Sequence, residues 1–154
     1  MKNSHFNFWY NWLFFISILN LFIGLMIAFF PNSILFDYHT AALEKVFFDG
    51  ILQEGTSEIR TFFFGIIGGT IAGYFFLQTM IVRFSFLHRE KWAWHAIFWA
   101  ILLWFVTDST ISILHGAYFN VWMINIPSFL LVVTPLVMTF RQFKQSTTKE
   151  FESD

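Results

Sequence analysis

WAWHAIFWAILLWFVTDSTISILHG runs from Trp92 to Gly116. Between Trp92 and Thr107 its one ionisable side chain is His95, near the start. A helix needs about 20 mostly apolar residues to cross the hydrocarbon of a bilayer. This run satisfies that length and reads as a membrane span ending at His115 and Gly116. Asp108 interrupts it before the end, with Ser109, Thr110 and Ser112 close by. If Trp92 marks one edge of the hydrocarbon, Asp108 lies about 24 Å along the helix, roughly 6 Å short of the other edge of a 30 Å core.

Composition supports that reading. Of 154 residues, 56% are hydrophobic and 12% charged, whereas soluble domains carry about 25% charged residues. There is too little charge to coat a water-facing surface. A net charge of -1 offers no footprint for nucleic acid. The absence of cysteine excludes disulfides, thiolate metal sites and cysteine nucleophiles.

Working outward, three more segments match the third: residues 8–30, closed by Pro31 and Asn32; 60–82; and 121–140. The first has a long apolar run and no small-residue cleavage site in MIAFFPNS, so it reads as a retained span rather than a signal peptide. Lys2, Arg83, Arg89, Lys91, Arg141, Lys144 and Lys149 fall on one side of the bundle, Lys45 and Arg60 on the other. The rule that basic loops stay inside places both termini in the cytoplasm, in a bacterial inner membrane. Trp9, Trp12, Trp92 and Trp94 mark the inner interface and Trp122 the outer one, while Trp99 and Trp104 lie deeper and need partners for their N–H groups.

The first outer loop contains DYHTAALEKVFFDG, an amphipathic helix with Asp37 or Thr40 to cap it, Gly50 to end it, and Leu43, Val46, Phe47 and Ile51 on one face. An apolar face of this kind rests on the outer leaflet; a lid over the mouth of the bundle is the alternative. The tail from 141 to 154 is polar and expected to be disordered. The expected fold is therefore all-α: one membrane domain, a four-helix transmembrane bundle with an extra amphipathic helix.

Lipid removes the hydrophobic drive between helices, so small residues and polar pairs must hold the bundle. In RTFFFGIIGGTIAGYF, Thr61, Gly65, Gly69 and Gly73 recur every four residues and form a packing stripe. Leu13, Ser17, Asn20, Gly24 and Ala28 form the matching stripe on the first span. Pro127 and Pro135 interrupt the fourth span and free the carbonyls of Met123 and Leu131.

Trp104, Asp108, Ser112 and His115 share one helical face. Arg60 starts the second span at the same outer end and is the expected partner of Asp108, with Glu58 competing for it. Arg60, Trp104, Asp108, Ser112, His115, Asn120 and Asn125 together form a candidate ligand-binding cluster. The bland alternative is a buried ion pair that fixes helix register. Asp108 and His115 are about 10 Å apart along one helix, which argues against a Ser-His-Asp triad. No catalytic or metal-ligating residue is assigned. No cofactor is expected; haem held by His39 and His115 is the alternative.

The order of WLFFISILNLFIG, FFPNSIL, EIRTFFFGIIGGTIAG and DSTISILHG is similar to bacterial four-span membrane families of unknown function in the DoxX-like neighbourhood. It distantly resembles the four-span scaffold family of ergosterol biosynthesis, which carries Arg-Thr-Phe and glycine at the start of its second span. The resemblance implies importance for Arg60, the glycines and the end of the third span, and, in the sterol family, a tethering role. The long outer loop and Asp108 depart from that pattern. The expected function is a non-catalytic scaffold or accessory subunit, or a binder of a lipid or other lipophilic molecule, with the bilayer and other membrane proteins as partners. A small transporter or membrane enzyme using Asp108 with Arg60 or His115 is the alternative.

Overall fold

The computed structural model describes residues 2–48 and 55–144, and the regular structure among them is helical throughout. Helices α1 (Lys2–Phe29), α2 (Asp37–Phe48), α3 (Thr56–Ile81), α4 (Lys91–Leu114), α5 (Tyr118–Asn120) and α6 (Ile126–Lys144) follow one another in the chain. A π turn over Val82–Phe86 prolongs α3, and another over Val121–Asn125 joins α5 to α6. Four continuous rods result: Ser4–Phe29, Thr56–Phe86, Lys91–Leu114 and Tyr118–Phe143, each long and apolar enough to cross a membrane. The chain is an all-α integral membrane protein. Gly50, Ile51 and the tail from 145 onward lie outside the described residues.

Local chemistry sets the ends. Pro31 disfavours helix at the residue before it and closes α1. Gly55 adopts φ 88° just before α3 and Gly116 φ 72° just after α4, conformations that a side chain resists. At the end of α4 the Ala117 N–H reaches back to the Ser112 carbonyl at 2.8 Å, so the helix stops and the chain reverses.

The bundle is held by backbone proximity and a narrow apolar core. α1 lies along α3 for most of its length and also packs on α6; α6 packs on α4. α3 approaches α4 at the π turn Val82–Phe86. The lateral order is therefore α3, α1, α6, α4. Leu13, Ile16, Phe75, Val82, Ile97, Ile101, Val132 and Leu136 fill the centre. At the end carrying the termini, Phe6 stacks on Phe86 at 6.0 Å between ring centroids, Phe86 meets Phe143 at 4.7 Å, and the Arg89 guanidinium sits 4.5 Å from the Phe6 ring.

The first-span stripe is the packing surface expected. Leu13 and Ser17 are fully buried, and Gly24 touches α3 so closely that a methyl there would lie 2.6 Å from the Ala72 nitrogen. Asn20 is half-buried and donates to the Ile16 carbonyl of its own helix (2.9 Å) rather than across the bundle. The second-span stripe is corrected. Thr61, Gly69 and Gly73 are exposed, and nothing lies within 4 Å of a methyl built on Gly69 or Gly73. Gly65 is marginal, its methyl 3.8 Å from the Ala28 carbonyl oxygen. The contact runs one residue earlier, through Gly68 and Ala72, and a methyl on Gly68 would run into the backbone of Ala28 and Gly24. Residues 68, 72, 75, 78 and 82 share the buried face of this rod, as helical spacing requires. On that face the Gln78 amide donates to the Ser17 hydroxyl at 2.8 Å, a buried polar link between α1 and α3.

Pro135 sits inside α6 and cannot bond the Leu131 carbonyl. The Trp12 indole of α1 donates to that carbonyl at 3.2 Å. The Trp94 indole of α4 donates to the adjacent Leu136 carbonyl at 2.8 Å. Both flanking helices are thus tied to the proline-distorted turn of α6.

These contacts yield a paired test. Gly68→Leu is expected to destabilise the bundle by about 3 kcal/mol or more, because rigid backbone rather than a flexible side chain occupies the space. Gly69→Leu is expected to stay within about 0.5 kcal/mol of the parent, as for other substitutions on an open surface. Thermal unfolding of the two variants in the same detergent measures the difference; equal losses would mean that both glycines face the partner helix.

Candidate functional site

At the end of the bundle opposite the termini, polar side chains from α2, α4 and α5 meet. The reversal at Gly116 and Ala117 folds α5 back against the last turns of α4. The Asn120 amide nitrogen there donates to Asp108 Oδ2 at 2.9 Å and to Ser112 Oγ at 2.9 Å. Asp108 and Ser112 are four residues apart and so stand on one face. The Asn120 carbonyl oxygen faces His39 Nε2 of α2 at 3.4 Å. With both amide protons committed to α4, Asn120 accepts from His39, which fixes the proton on Nε2. The His39 ring packs edge-on against Phe119 (5.3 Å between centroids) and lies 6.3 Å from Phe64.

One layer deeper, Asn125 is completely buried and donates to Ser109 Oγ at 3.0 Å. Pro127 explains its position. The missing N–H lets the chain take one extra residue in the π turn Val121–Asn125, and such turns re-aim side chains. The Asn125 side-chain oxygen has no partner.

Arg60 does not join Asp108, which corrects the expected pair. Its guanidinium is bonded to Glu44 of α2 at 2.5 Å and faces Asn32 at 3.4 Å. The reason is lateral order: α1 and α6 stand between α3 and α4, so these two spans, although consecutive, are not neighbours at this end. Glu58, the expected competitor, is exposed. His115 is also outside the cluster; it is exposed, with Nδ1 2.9 Å from the Ile111 carbonyl oxygen of its own helix. Trp104 is half-buried one turn from Asp108 on the same face. The structure therefore gathers Asp108, Ser112 and Asn120, places Asn125 a layer below with Ser109, and leaves Arg60 and His115 apart.

Sequence reasoning missed three contributors. His39 entered only as a haem ligand, Ser109 only as a polar neighbour of Asp108, and Glu44 not at all. A signal for Glu44 was present: on the helix over 37–48 it falls five residues beyond His39, about 140° round the helix, which turns it to the other flank of α2. The haem pairing gains nothing from this geometry. His39 meets Asn120 while His115 lies near Phe47, eight residues on, which is about 12 Å along α2. Among the described residues no group of three or more His, Asp or Glu side chains is placed to hold a metal ion.

α2 is tied into the bundle at both sides, by His39 to α5 and by Glu44 to α3, and none of its residues is buried. Its link to the polar cluster is the contact between His39 and Asn120. The charge at this end is unbalanced: among the described residues Asp37, Glu44, Glu58 and Asp108 belong to it against Lys45 and Arg60. Asp108 is half-buried, accepts a hydrogen bond at Oδ2, and faces no cationic side chain among the described residues. Its Oδ1 has no hydrogen-bond partner among the described residues and is not buried. Desolvation lowers the His39 pKa below its usual 6.5, with the Asn120 bond opposing weakly, so His39 is neutral at pH 7 and supplies no counter-charge.

No family model, curated protein or solved structure matches the chain.

The lowered pKa of His39 gives stability a direction with pH. The unfolded chain takes up the proton near pH 6.5 and the folded one lower, so stability is unaffected by this group above that pH and falls as pH drops below it. Melting temperature in detergent is expected to decline between pH 7 and 5, and His39→Gln is expected to flatten that decline. An identical slope in the variant would place the titration elsewhere.

Proposed function

We propose that the chain is a non-catalytic membrane protein that binds a lipophilic molecule by its polar end, at the Asp108 cluster, under the cover of α2. One observation carries this reading: a carboxylate at the depth of a membrane span has one oxygen held by Asn120 and the other open and unpaired among the described residues. Ionisable groups in spans are costly and usually face a partner or a polar cavity. A pair that merely fixes helix register would be closed on itself; Asp108 is not. The reading with Arg60 or His115 as chemical partners of Asp108 loses its geometry, because neither touches it.

A scaffold or accessory role is favoured by a separate observation, the exposed small residues Thr61, Gly69 and Gly73 on α3. Such a face suits a helix of another membrane protein. The resemblance to four-span scaffold families points the same way.

The binding reading is tested with a neutral fatty alcohol carrying a photoactivatable diazirine. Irradiated with the protein in maltoside micelles, it is expected to label peptides from α2 and from residues 104–120 above the other lipid-facing segments. Even labelling along all four spans would remove the site.

We further propose that the α2 end faces outward from a bacterial inner membrane, with both termini cytoplasmic, on the asymmetry of basic residues. The chain has no native thiol. Cysteines placed singly at Lys45 and Lys144 give the test. Impermeant maleimide added to intact spheroplasts is expected to label the first and spare the second; the reverse pattern inverts the topology.

A further inference from the structure

The binding reading leaves open what the polar end of the ligand is, and the chemistry around Asp108 narrows it. Oδ1 accepts nothing from the described residues, so the ligand's part is to donate to it or to balance its charge. A hydroxyl could donate one proton, yet it would leave the charge of the carboxylate uncompensated in a region of low dielectric. The protein does not supply the missing positive charge. Arg60 is spent on Glu44, Lys45 is exposed on α2, and His39 is neutral. The excess of acidic over basic residues at this end extends the preference outward, since a field of one sign concentrates the opposite ion at a cleft. Aromatic rings border the same cluster: Phe119 and Phe64 flank His39, and Trp104 lies one turn from Asp108. Ring faces attract cations and tolerate alkyl chains.

We propose that the group received at Asp108 is an ammonium head borne on an alkyl chain. The proposal rests on the binding reading above. A primary ammonium would donate to Asp108 Oδ1 and to Ser112 Oγ, whose lone pairs are not exhausted by Asn120. A methylated one would sit against the aromatic faces with Asp108 as counter-ion. The shared chemistry has two sources, a free amphiphilic amine or the ethanolamine or choline head of a membrane lipid.

The test is competition against the same neutral photolabel, in maltoside micelles that carry no charge. Dodecylamine, dodecyltrimethylammonium, dodecanol and dodecyl sulfate share one chain length and differ in the head. The two cations are expected to displace the label at concentrations about tenfold or more below dodecanol, with dodecyl sulfate the weakest, because an ion pair with the carboxylate, hydrogen-bonded in the case of dodecylamine, replaces a neutral hydrogen bond. Asp108→Asn keeps an acceptor for Asn120 and is expected to erase the tenfold preference of the two cations over dodecanol. Asp108→Glu is expected to keep the preference, which separates loss of charge from loss of fold. Displacement of label from the unaltered protein by dodecanol or dodecyl sulfate as readily as by dodecylamine would overturn the ammonium head and leave the binding site standing. Absence of any localised label would instead overturn the binding reading itself. Added phosphatidylethanolamine that protects the site, where phosphatidylglycerol does not, assigns the head to a membrane lipid; protection by dodecylamine with both lipids inert assigns it to a free amine.

Discussion

Gly24 and Gly68 let two helix backbones touch, with Ala28 and Ala72 completing the contact. In a bilayer no hydrophobic force pulls helices together, because lipid tails solvate apolar side chains as well as another helix does. Close approach of backbones, with the dispersion and polar contacts that it permits, must do so instead. The Gly24–Gly68 crossing commits α1 to α3, and α1 then has its other flank free for α6. With α1 and α6 both inside, α3 and α4 are held apart over most of their length and converge at the π turn Val82–Phe86. The separation of Arg60 from Asp108, and so the unpaired oxygen of Asp108, follows from which glycine makes the crossing.

The second constraint comes from the prolines of the fourth rod. Each removes an N–H that a helix in lipid can hardly spare. At Pro135 the deficit is met from outside, by the Trp12 indole on the freed Leu131 carbonyl, while the Trp94 indole bonds the Leu136 carbonyl beside the proline, so three helices join there. At Pro127 the deficit is met from within, by the wider π turn, which rotates Asn125 into the core. The same chemical lesion stabilises the bundle in one place and builds the floor of the polar cluster in the other.

What could be read in the sequence divides along the range of the physics. Spans were legible because hydrocarbon thickness acts on each segment alone: 60–82 and 92–114 fall inside the rods Thr56–Phe86 and Lys91–Leu114. The α1 stripe was legible because Gly24 and Ser17 are rare interruptions of a bulky run. The α3 stripe was not, since 61, 65, 69 and 73 and the residues at 68 and 72 both satisfy spacing of four, and only the partner's position chooses between them. Depth along each span was likewise legible, which brought Arg60, Asp108 and Asn125 to the same end of the bundle, and helical spacing put Ser112 on the face of Asp108. Lateral order was not. Arg60 and Asp108 share a depth, but depth says nothing of whether two helices lie between them.

The role of α2 follows from the same separation. A helix that filled the gap between α3 and α4 would need a buried apolar face, and α2 has no buried residue. It bridges the gap with polar contacts instead, Glu44 reaching the α3 side and His39 the α5 side. Hydrogen bonds that water can replace contribute little net stability, roughly 0.5–1.5 kcal/mol for a neutral pair, and a partly exposed ion pair contributes about as little. Segments held by few apolar contacts are the ones that open locally while the rest of a fold stays intact. The tight crossing at Gly24 and Gly68 and the polar bridge made by α2 are then two parts of one arrangement: backbone contact fixes where the helices stand, and α2 spans the space it leaves by two polar contacts.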